Sequence, residues 1–176
     1  IFDIIFQLHL CIAKKNAPWL LEKFILNPDW NAVPISVSGN TDCYQPLERK
    51  LKITRGILEV FARYRHPVGI ITKNSLILRD LDILTDLAKD DLVHVYIAIT
   101  TLNEDLRGLM ESRTASALKR LTTVSALASA GIPVGIMTAP IIPGLNDHEI
   151  PNILKAASEA GARAAGMTIV RLNGSI

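Results

Sequence analysis

The chain has 176 residues, a formal net charge of +2 and 49% hydrophobic residues. This length suffices for one domain with a sizeable core. The 19 basic and 17 acidic residues are interspersed, so the sequence lacks the basic stripe of a typical nucleic-acid-binding protein. Two cysteines, Cys11 and Cys43, make no disulfide framework and favour a reducing, cytoplasmic setting.

The first residues carry no visible targeting signal. Ile1–Ile12 is too short and too interrupted to span a bilayer, and no charged segment precedes it. A start at Ile1 rather than Met predicts that the chain begins inside a longer protein. Phe6–Ile12 alternates like a strand, in which His9 and Cys11 share a face, but two candidate ligands are too few for a zinc site.

Helices and short apolar strands alternate along the rest of the chain. A first helix is predicted from Asn16 to about Leu26, where Asn27-Pro28-Asp29 ends it. The predicted strands are Ile35–Val37, Val68–Thr72, Val93–Ile99, Pro133–Met137 and Gly166–Val170. The predicted helices between them are Pro46–Tyr64, Arg79–Lys89, Glu104–Glu111, Ser116–Ala130 and Asp147–Ala160, with Gly131 and Gly161 as C-caps.

This alternation predicts one α/β domain with parallel strands buried on both faces and right-handed crossovers. Residues 1–33 are a lead-in segment, and residues 34–172 are the βα repeats. Polar residues follow the C-terminal end of each strand, whereas the opposite ends carry caps and turns. That asymmetry is typical of a (β/α) barrel, which places its working groups at the C-terminal face.

The stretch Ser38–Arg55, SGNTDCYQPLERKLKITR, follows the first predicted strand. It starts with a loop that has more polar groups than a turn needs. Gly39-Asn40 can make the turn, and Thr41 or Asp42 can accept hydrogen bonds from exposed backbone N–H groups. Gln45 adds a further hydrogen-bonding side chain. The alternative is an ordinary βα loop followed by a capped helix.

Lys73 lies at the tip of the second strand. Its ammonium either enters the barrel mouth, where it binds a carboxylate or forms a Schiff base, or extends into solvent. Glu111 and Arg113 lie between two predicted helices, within reach of one another. They either act as an acid and a base or form a local ion pair. Spacing leaves open whether Arg171 faces the mouth or the solvent.

The chain resembles radical SAM proteins of the spore photoproduct lyase-related group from about Lys14 to Leu172. Five phrases carry the resemblance: NTDCYQPLERKLKITRGILEV, HPVGIITKNSLILRDLDIL, VYIAITTLNEDLRGLMESRTAS, AGIPVGIMTAPIIPGLNDHEI and GARAAGMTIVRLN.

The resemblance implies a partial (β/α)₆ barrel that holds a [4Fe–4S] cluster and S-adenosylmethionine (SAM) at its C-terminal face. In such enzymes a C-x₃-C-x₂-C loop holds the cluster, and one-electron reduction of SAM gives a 5′-deoxyadenosyl radical that abstracts hydrogen from substrate. The resemblance also implies a reductant such as a flavodoxin or ferredoxin, and lyase-type chemistry on an unknown substrate. Nucleic acid enters as a partner only by analogy, and no membrane is implied.

Three departures from the family pattern stand out. The chain has no C-x₃-C-x₂-C run, which predicts a fragment that lacks the first barrel strand and the cluster loop and is inactive alone. Ala98 stands where a serine commonly contacts SAM, so that contact is lost or passes to Thr100. Ser112 stands where proline is usual.

Carried over residue by residue, the resemblance places Thr41, Asp42 and Gln45 in the SAM pocket and Lys73 against the methionine carboxylate. It places Thr100 near the ribose or methionine, and makes Glu111 and Arg113 a polar clamp. Further residues expected to contact cofactor or substrate are Met137, Ala139 and Arg171, whereas Cys43 is expected to be a bystander.

Two alternatives remain open at the level of sequence. One is a Schiff-base aldolase-like barrel enzyme that uses Lys73. The other is a non-catalytic split or degenerate barrel that needs a partner, because the Ile35–Val37 strand would otherwise present an unpaired apolar edge.

Overall fold

A computed structural model describes residues 13–39 and 41–171. The helices are α1 (Ala17–Ile25), α2 (Glu48–Leu51), α3 (Ile53–Arg63), α4 (Leu81–Ala88), α5 (Glu104–Met110), α6 (Ala117–Ser129) and α7 (Ile150–Glu159). The strands are β1 (Ile35–Val37), β2 (Val68–Thr72), β3 (Val93–Ala98), β4 (Val134–Ile141) and β5 (Ala164–Ile169). Within the described ranges, no helix has the length and apolarity needed to cross a membrane. The predicted Phe6–Ile12 strand, with His9 and Cys11, and Asn40 in the predicted turn lie outside the described residues.

The five strands form one parallel sheet in the order β1-β2-β3-β4-β5, so each strand pairs with its neighbours along the chain. Ile35 pairs with Val68, and Val68 pairs in turn with Val93. At the other side, Met137 of β4 lies between Ala98 of β3 and Gly166 of β5. The predicted parallel α/β fold is therefore confirmed.

Helices cover one face of this sheet. Burial alternates along β2, where Val68 and Ile70 are buried and Gly69 and Ile71 are only half-buried. The buried positions join the core formed with helix residues such as Phe61, Leu84 and Leu127. Right-handed crossovers between strands that follow chain order must all lie on the same side, which leaves the second face open. The prediction of strands buried on both faces is therefore wrong.

The predicted helix Pro46–Tyr64 is two helices, because the backbone reverses hand at Lys52, whose φ is 51°. The carboxylate of Glu48 accepts a hydrogen bond from the backbone N–H of Ile53 at 2.9 Å and so caps the start of α3. The helix after β2 likewise begins with a 3₁₀ turn, Ser75–Asp80, which Asn74 caps through the N–H of Leu76. Both breaks depend on side chains that accept from the backbone.

Small residues and one aromatic ring line part of the open face. Gly135 of β4 pairs with Tyr96 of β3, and a Cβ atom at Gly135 would lie 2.7 Å from the Tyr96 ring and 2.9 Å from the carbonyl oxygen of Ala164. Gly69, on the same face of β2, has no atom within 4 Å of its Cβ position. Gly135 is thus required by close approach, and Gly69 is not.

We expect Gly135→Ala to lower the free energy of unfolding by about 1–3 kcal/mol, since the new methyl group overlaps a ring and a backbone carbonyl. Urea unfolding followed by circular dichroism measures the change. Gly69→Ala is the matched control on the same face, and we expect a change within about 1 kcal/mol because its methyl group enters open space. Equal losses in both variants would contradict the close packing at Gly135.

Candidate functional site

The C-terminal ends of the strands and the loops that follow them form the edge that we call the mouth. It comprises residues 38–39, 41–45, 72–74, 98–103, 137–147 and 168–171 of the described chain. Most of the predicted site residues lie here, at the edge where parallel α/β proteins bind their ligands.

Asp42 ties the loop after β1 to the end of β2. Its Oδ1 accepts from the backbone N–H of Tyr44 at 2.9 Å and from the hydroxyl of Thr72 at 2.7 Å. Its Oδ2 accepts from the backbone N–H of Lys73 at 2.8 Å. Asp42 therefore fixes the backbone that carries Lys73. The prediction that Asp42 accepts hydrogen bonds from exposed backbone N–H groups is confirmed.

A second carboxylate, that of Asp80, binds the same loop through Tyr44. Asp80 is fully buried and accepts from the hydroxyl of Tyr44 at 3.1 Å. Arg55 and Arg79 both pair with it, and Arg79 also bonds Glu48 at 2.9 Å. Burial, more than the nearby Asp80 charge, raises the pKa of the Tyr44 phenol, so Tyr44 acts as a neutral donor.

Glu111 lies between two cations. One of its carboxylate oxygens contacts the ammonium of Lys73, and the other lies 2.7 Å from the guanidinium of Arg120. The Glu111 side chain is 7% exposed and that of Arg120 only 2%, whereas Lys73 is 32% exposed. The clamp of Glu111 and Arg113 stays a prediction; in the structure Glu111 is bonded by Lys73 and by Arg120, which reaches it from the first turn of α6.

Two opposing effects act on the Glu111 carboxyl. Burial raises its pKa, but the hydrogen bond and charge of Lys73 and the charge of Arg120 outweigh burial. The pKa therefore lies below its ordinary value, and Glu111 remains a carboxylate at neutral pH. An anion fixed between two cations is the result.

Thr100 follows β3 and is fully buried. Its carbonyl accepts from the side-chain amide of Asn146 at 2.9 Å, but its hydroxyl has no hydrogen-bond partner among the described residues. Asn146 also binds Pro140, and Glu149 accepts from the hydroxyl of Thr101 at 2.5 Å. The loops after β3 and β4 are therefore held together, with one buried hydroxyl left unused at their junction.

The remaining predicted residues are spread along the mouth. Thr41, Gln45 and Arg113 are exposed, while Met137 and Ala139 are half-buried on β4. Ala139 and the exposed Arg171 line an open cavity of about 610 Å³, together with Gly39, Pro140 and residues 168–170. Its volume lies in the range of small-molecule sites. The structure does not bring Met137 into the set of residues that line this cavity.

A metal cluster does not fit the described residues. No three Cys, His, Asp or Glu side chains in ranges 13–39 and 41–171 lie together as a metal site requires. The whole sequence has two cysteines, one fewer than a three-cysteine cluster loop needs. Burial raises the pKa of the Cys43 thiol to about 12, which keeps it protonated and makes it a poor metal ligand.

Sequence reasoning missed Arg120, Asn146 and Glu149. Each lies in or just before a helix, where a polar residue is usually solvated, and each reaches a loop group that lies between 9 and 47 residues away. The one available signal was position: Arg120 falls on the apolar side of α6 with Val124 and Leu127, which are also buried. A charged residue on that side needs a buried partner.

Comparison of the sequence with known proteins points to one family. The model of the Radical SAM superfamily matches residues 21–157. An uncharacterized protein of Mycobacterium tuberculosis (strain ATCC 25618 / H37Rv) is 28% identical over 166 residues, which are 93% of this chain and 49% of that protein. An uncharacterized protein of Methanocaldococcus jannaschii is 30% identical over 138 residues, 78% of this chain and 50% of its own length. The chain thus spans about half the length of the curated relatives it matches.

Two solved structures share the fold. A mutant of spore photoproduct lyase superimposes with a TM-score of 0.63 and 15% identity, over 88% of this chain and 44% of that one. SuiB of Streptococcus suis bound to S-adenosylmethionine superimposes with a TM-score of 0.62 and 13% identity, over 81% and 31%. Both support the partial-barrel fold predicted from the sequence.

We expect Thr100→Val to leave the free energy of unfolding within about 0.5 kcal/mol of the parent, because no hydrogen bond is lost. Thr54→Val is the matched control: its buried hydroxyl donates to the carbonyl of Cys43 at 2.6 Å. Loss of that bond costs about 1–3 kcal/mol. Thermal and urea unfolding measure both, and an equal loss in Thr100→Val would mean that its hydroxyl is bonded.

We expect Cys43 to resist alkylation in the folded protein. With the pKa raised to about 12, the reactive thiolate is scarce at pH 8, and reaction with iodoacetamide should be about 100-fold or more slower than in urea. Peptide mass mapping separates Cys43 from Cys11. Labelling of Cys43 at the same rate in both conditions would contradict its burial.

Proposed function

The chain belongs to the radical SAM superfamily, and from this premise we propose that its mouth binds S-adenosylmethionine, with Lys73 receiving the methionine carboxylate. The observation that carries the proposal is the Lys73 side chain, which is about one-third exposed at the end of β2 and held in place by the nearly buried Glu111. A cation fixed before the ligand arrives loses little side-chain entropy on binding.

Two other features support a SAM site. The buried hydroxyl of Thr100 lacks a partner among the described residues, and an incoming polar group would supply one. The cavity beside Ala139 and Arg171 has room for part of a nucleoside, with Gly39 across it. Met137, Thr41 and Gln45 belong to the proposed pocket by resemblance alone, since they do not line this cavity, and Asp42 acts through the Lys73 backbone.

SAM, when bound in enzymes of this superfamily, supplies the radical that abstracts hydrogen from substrate. The residues of this chain do not fit the [4Fe–4S] cluster that this chemistry needs, so we propose that the cluster ligands are contributed from outside residues 1–176. In that arrangement this chain binds and orients SAM and excludes water around it. A reductant such as a flavodoxin or ferredoxin belongs to the same proposal for the whole protein.

The contact between Lys73 and Glu111 argues against the Schiff-base alternative. A Schiff base forms when Nζ attacks a carbonyl carbon, and in this structure Nζ is engaged by the Glu111 carboxylate. The non-catalytic alternative differs from the main proposal in one property, since a degenerate barrel need not bind SAM at all.

We expect Lys73→Gln to weaken SAM binding about tenfold, because a charge-assisted hydrogen bond of about 1.4 kcal/mol or more is lost. Isothermal titration under anaerobic conditions, with the protein that contains this chain, measures the affinity. Lys89→Gln is the matched control: Lys89 is 69% exposed at the opposite end of the sheet, where it pairs with Asp86 at 3.6 Å. Absence of SAM binding by the parent protein would overturn the proposal.

A further inference from the structure

Arg120 is a charged side chain in the core, 2% exposed, and each end of its guanidinium is bonded. Its Nε donates to the carbonyl of Ala115 at 2.9 Å, and one terminal nitrogen donates to the carbonyl of Ala98 at 2.8 Å. The other terminal nitrogen donates to Glu111 and to the hydroxyl of Thr114 at 2.5 Å. This planar fork joins the end of β3 to the loop between α5 and α6.

The loop that carries Glu111 is held from a second direction. Arg107 donates to the backbone carbonyls of Glu111 at 3.3 Å and Thr114 at 3.1 Å. The hydroxyl of Thr114 donates in turn to the Glu111 carbonyl at 2.8 Å. The backbone of Glu111 is thereby fixed, and Arg120 determines where its carboxylate lies.

The three side chains have a charge pattern that suits an anionic ligand. Lys73, Glu111 and Arg120 carry a formal charge of +1 together, and Lys73 is the exposed member. Were Glu111 paired with Lys73 alone, the two charges would cancel and an incoming carboxylate would compete with Glu111. Because Arg120 already balances Glu111, the ammonium of Lys73 keeps its attraction for a second carboxylate.

We propose that Arg120 is a positioning residue that acts through Glu111, so that the ammonium of Lys73 is fixed and remains attractive to the carboxylate of the bound ligand. The inference rests on the proposed function, in which that ligand is SAM. It adds a remote, buried residue whose effect is confined to the carboxylate of the ligand. A residue that only stabilised the fold would affect all ligands of the mouth alike.

The test compares SAM with decarboxylated SAM, which lacks the carboxylate and keeps the rest of the molecule. Isothermal titration gives the affinity ratio of the two ligands for the protein that contains this chain. We expect Arg120→Lys to lower this ratio about fivefold, because lysine keeps the charge and loses the fork, while the affinity for decarboxylated SAM changes less than about twofold. Lys73→Gln should lower the same ratio at least as far.

Glu111→Asp is a second variant that breaks the same link with both cations in place. Its shorter side chain cannot contact Lys73 and Arg120 together, so we expect the same fall in the ratio even if Arg120→Lys does not fold. Arg79→Lys is the matched control, since Arg79 also bonds two carboxylates, Glu48 and Asp80, without contacting Lys73. It should lower the melting temperature and leave the ratio unchanged.

The outcomes separate this inference from the proposed function. If Lys73→Gln lowers the ratio but Arg120→Lys and Glu111→Asp weaken both ligands equally or leave both unchanged, the positioning role of Arg120 is wrong and the SAM site stands. If the parent protein does not bind SAM, or binds both ligands equally, the proposed function itself fails.

Discussion

Strands that follow chain order in a parallel sheet leave one face without helices, and the rest of this structure depends on that constraint. Every crossover lies on the same side, so the apolar core forms there, with Ile70, Val95 and Ile136 meeting the helices. The open face accepts small or half-exposed residues, among them Gly135 beneath the Tyr96 ring. All loops after the strands converge on one edge, which concentrates the polar groups of the chain at the mouth.

The loops at this edge are held in place by one another, because side chains of one loop form hydrogen bonds with the backbone of a neighbouring loop. Asp42 binds the N–H of Lys73, Asn146 binds the carbonyl of Thr100, and Glu149 accepts from the N–H of Leu102 at 2.8 Å. Each contact satisfies a backbone group that the end of a strand leaves without a ladder partner. The mouth is therefore ordered by the protein's own groups, which favours a preformed ligand site.

The five strands were predictable because short apolar runs between turn signals are local features of the sequence. Their ends were less so, since β4 runs on to Ile141 where a strand ending at Met137 was predicted. The break at Lys52 was not predictable, because it depends on the Glu48 carboxylate reaching the N–H of Ile53 across five residues. The same distinction holds for the site. The position of Lys73 follows from where its strand ends, but its link to Arg120 joins residues far apart in the chain. Arg113 was predicted to act with Glu111 because the two are close in sequence, whereas the contact that Arg120 makes from α6 depends on the fold.

The carboxylates of Asp80 and Glu111 are each held by two cations, but the cations around Asp80 have other acidic partners, whereas, in the ranges that the structure describes, those around Glu111 do not. Around Asp80, Arg55 also pairs with Glu59 and Asp82, and Arg79 also pairs with Glu48. Those guanidiniums are shared between acids and have little attraction left for a ligand, so that network fastens the loop after β1. Within the described part of the chain, Lys73 pairs with one acid, and that acid is shared with Arg120. Similar ionic chemistry therefore serves as scaffold around Asp80 and leaves an attractive cation at the mouth, where an anionic ligand can reach it.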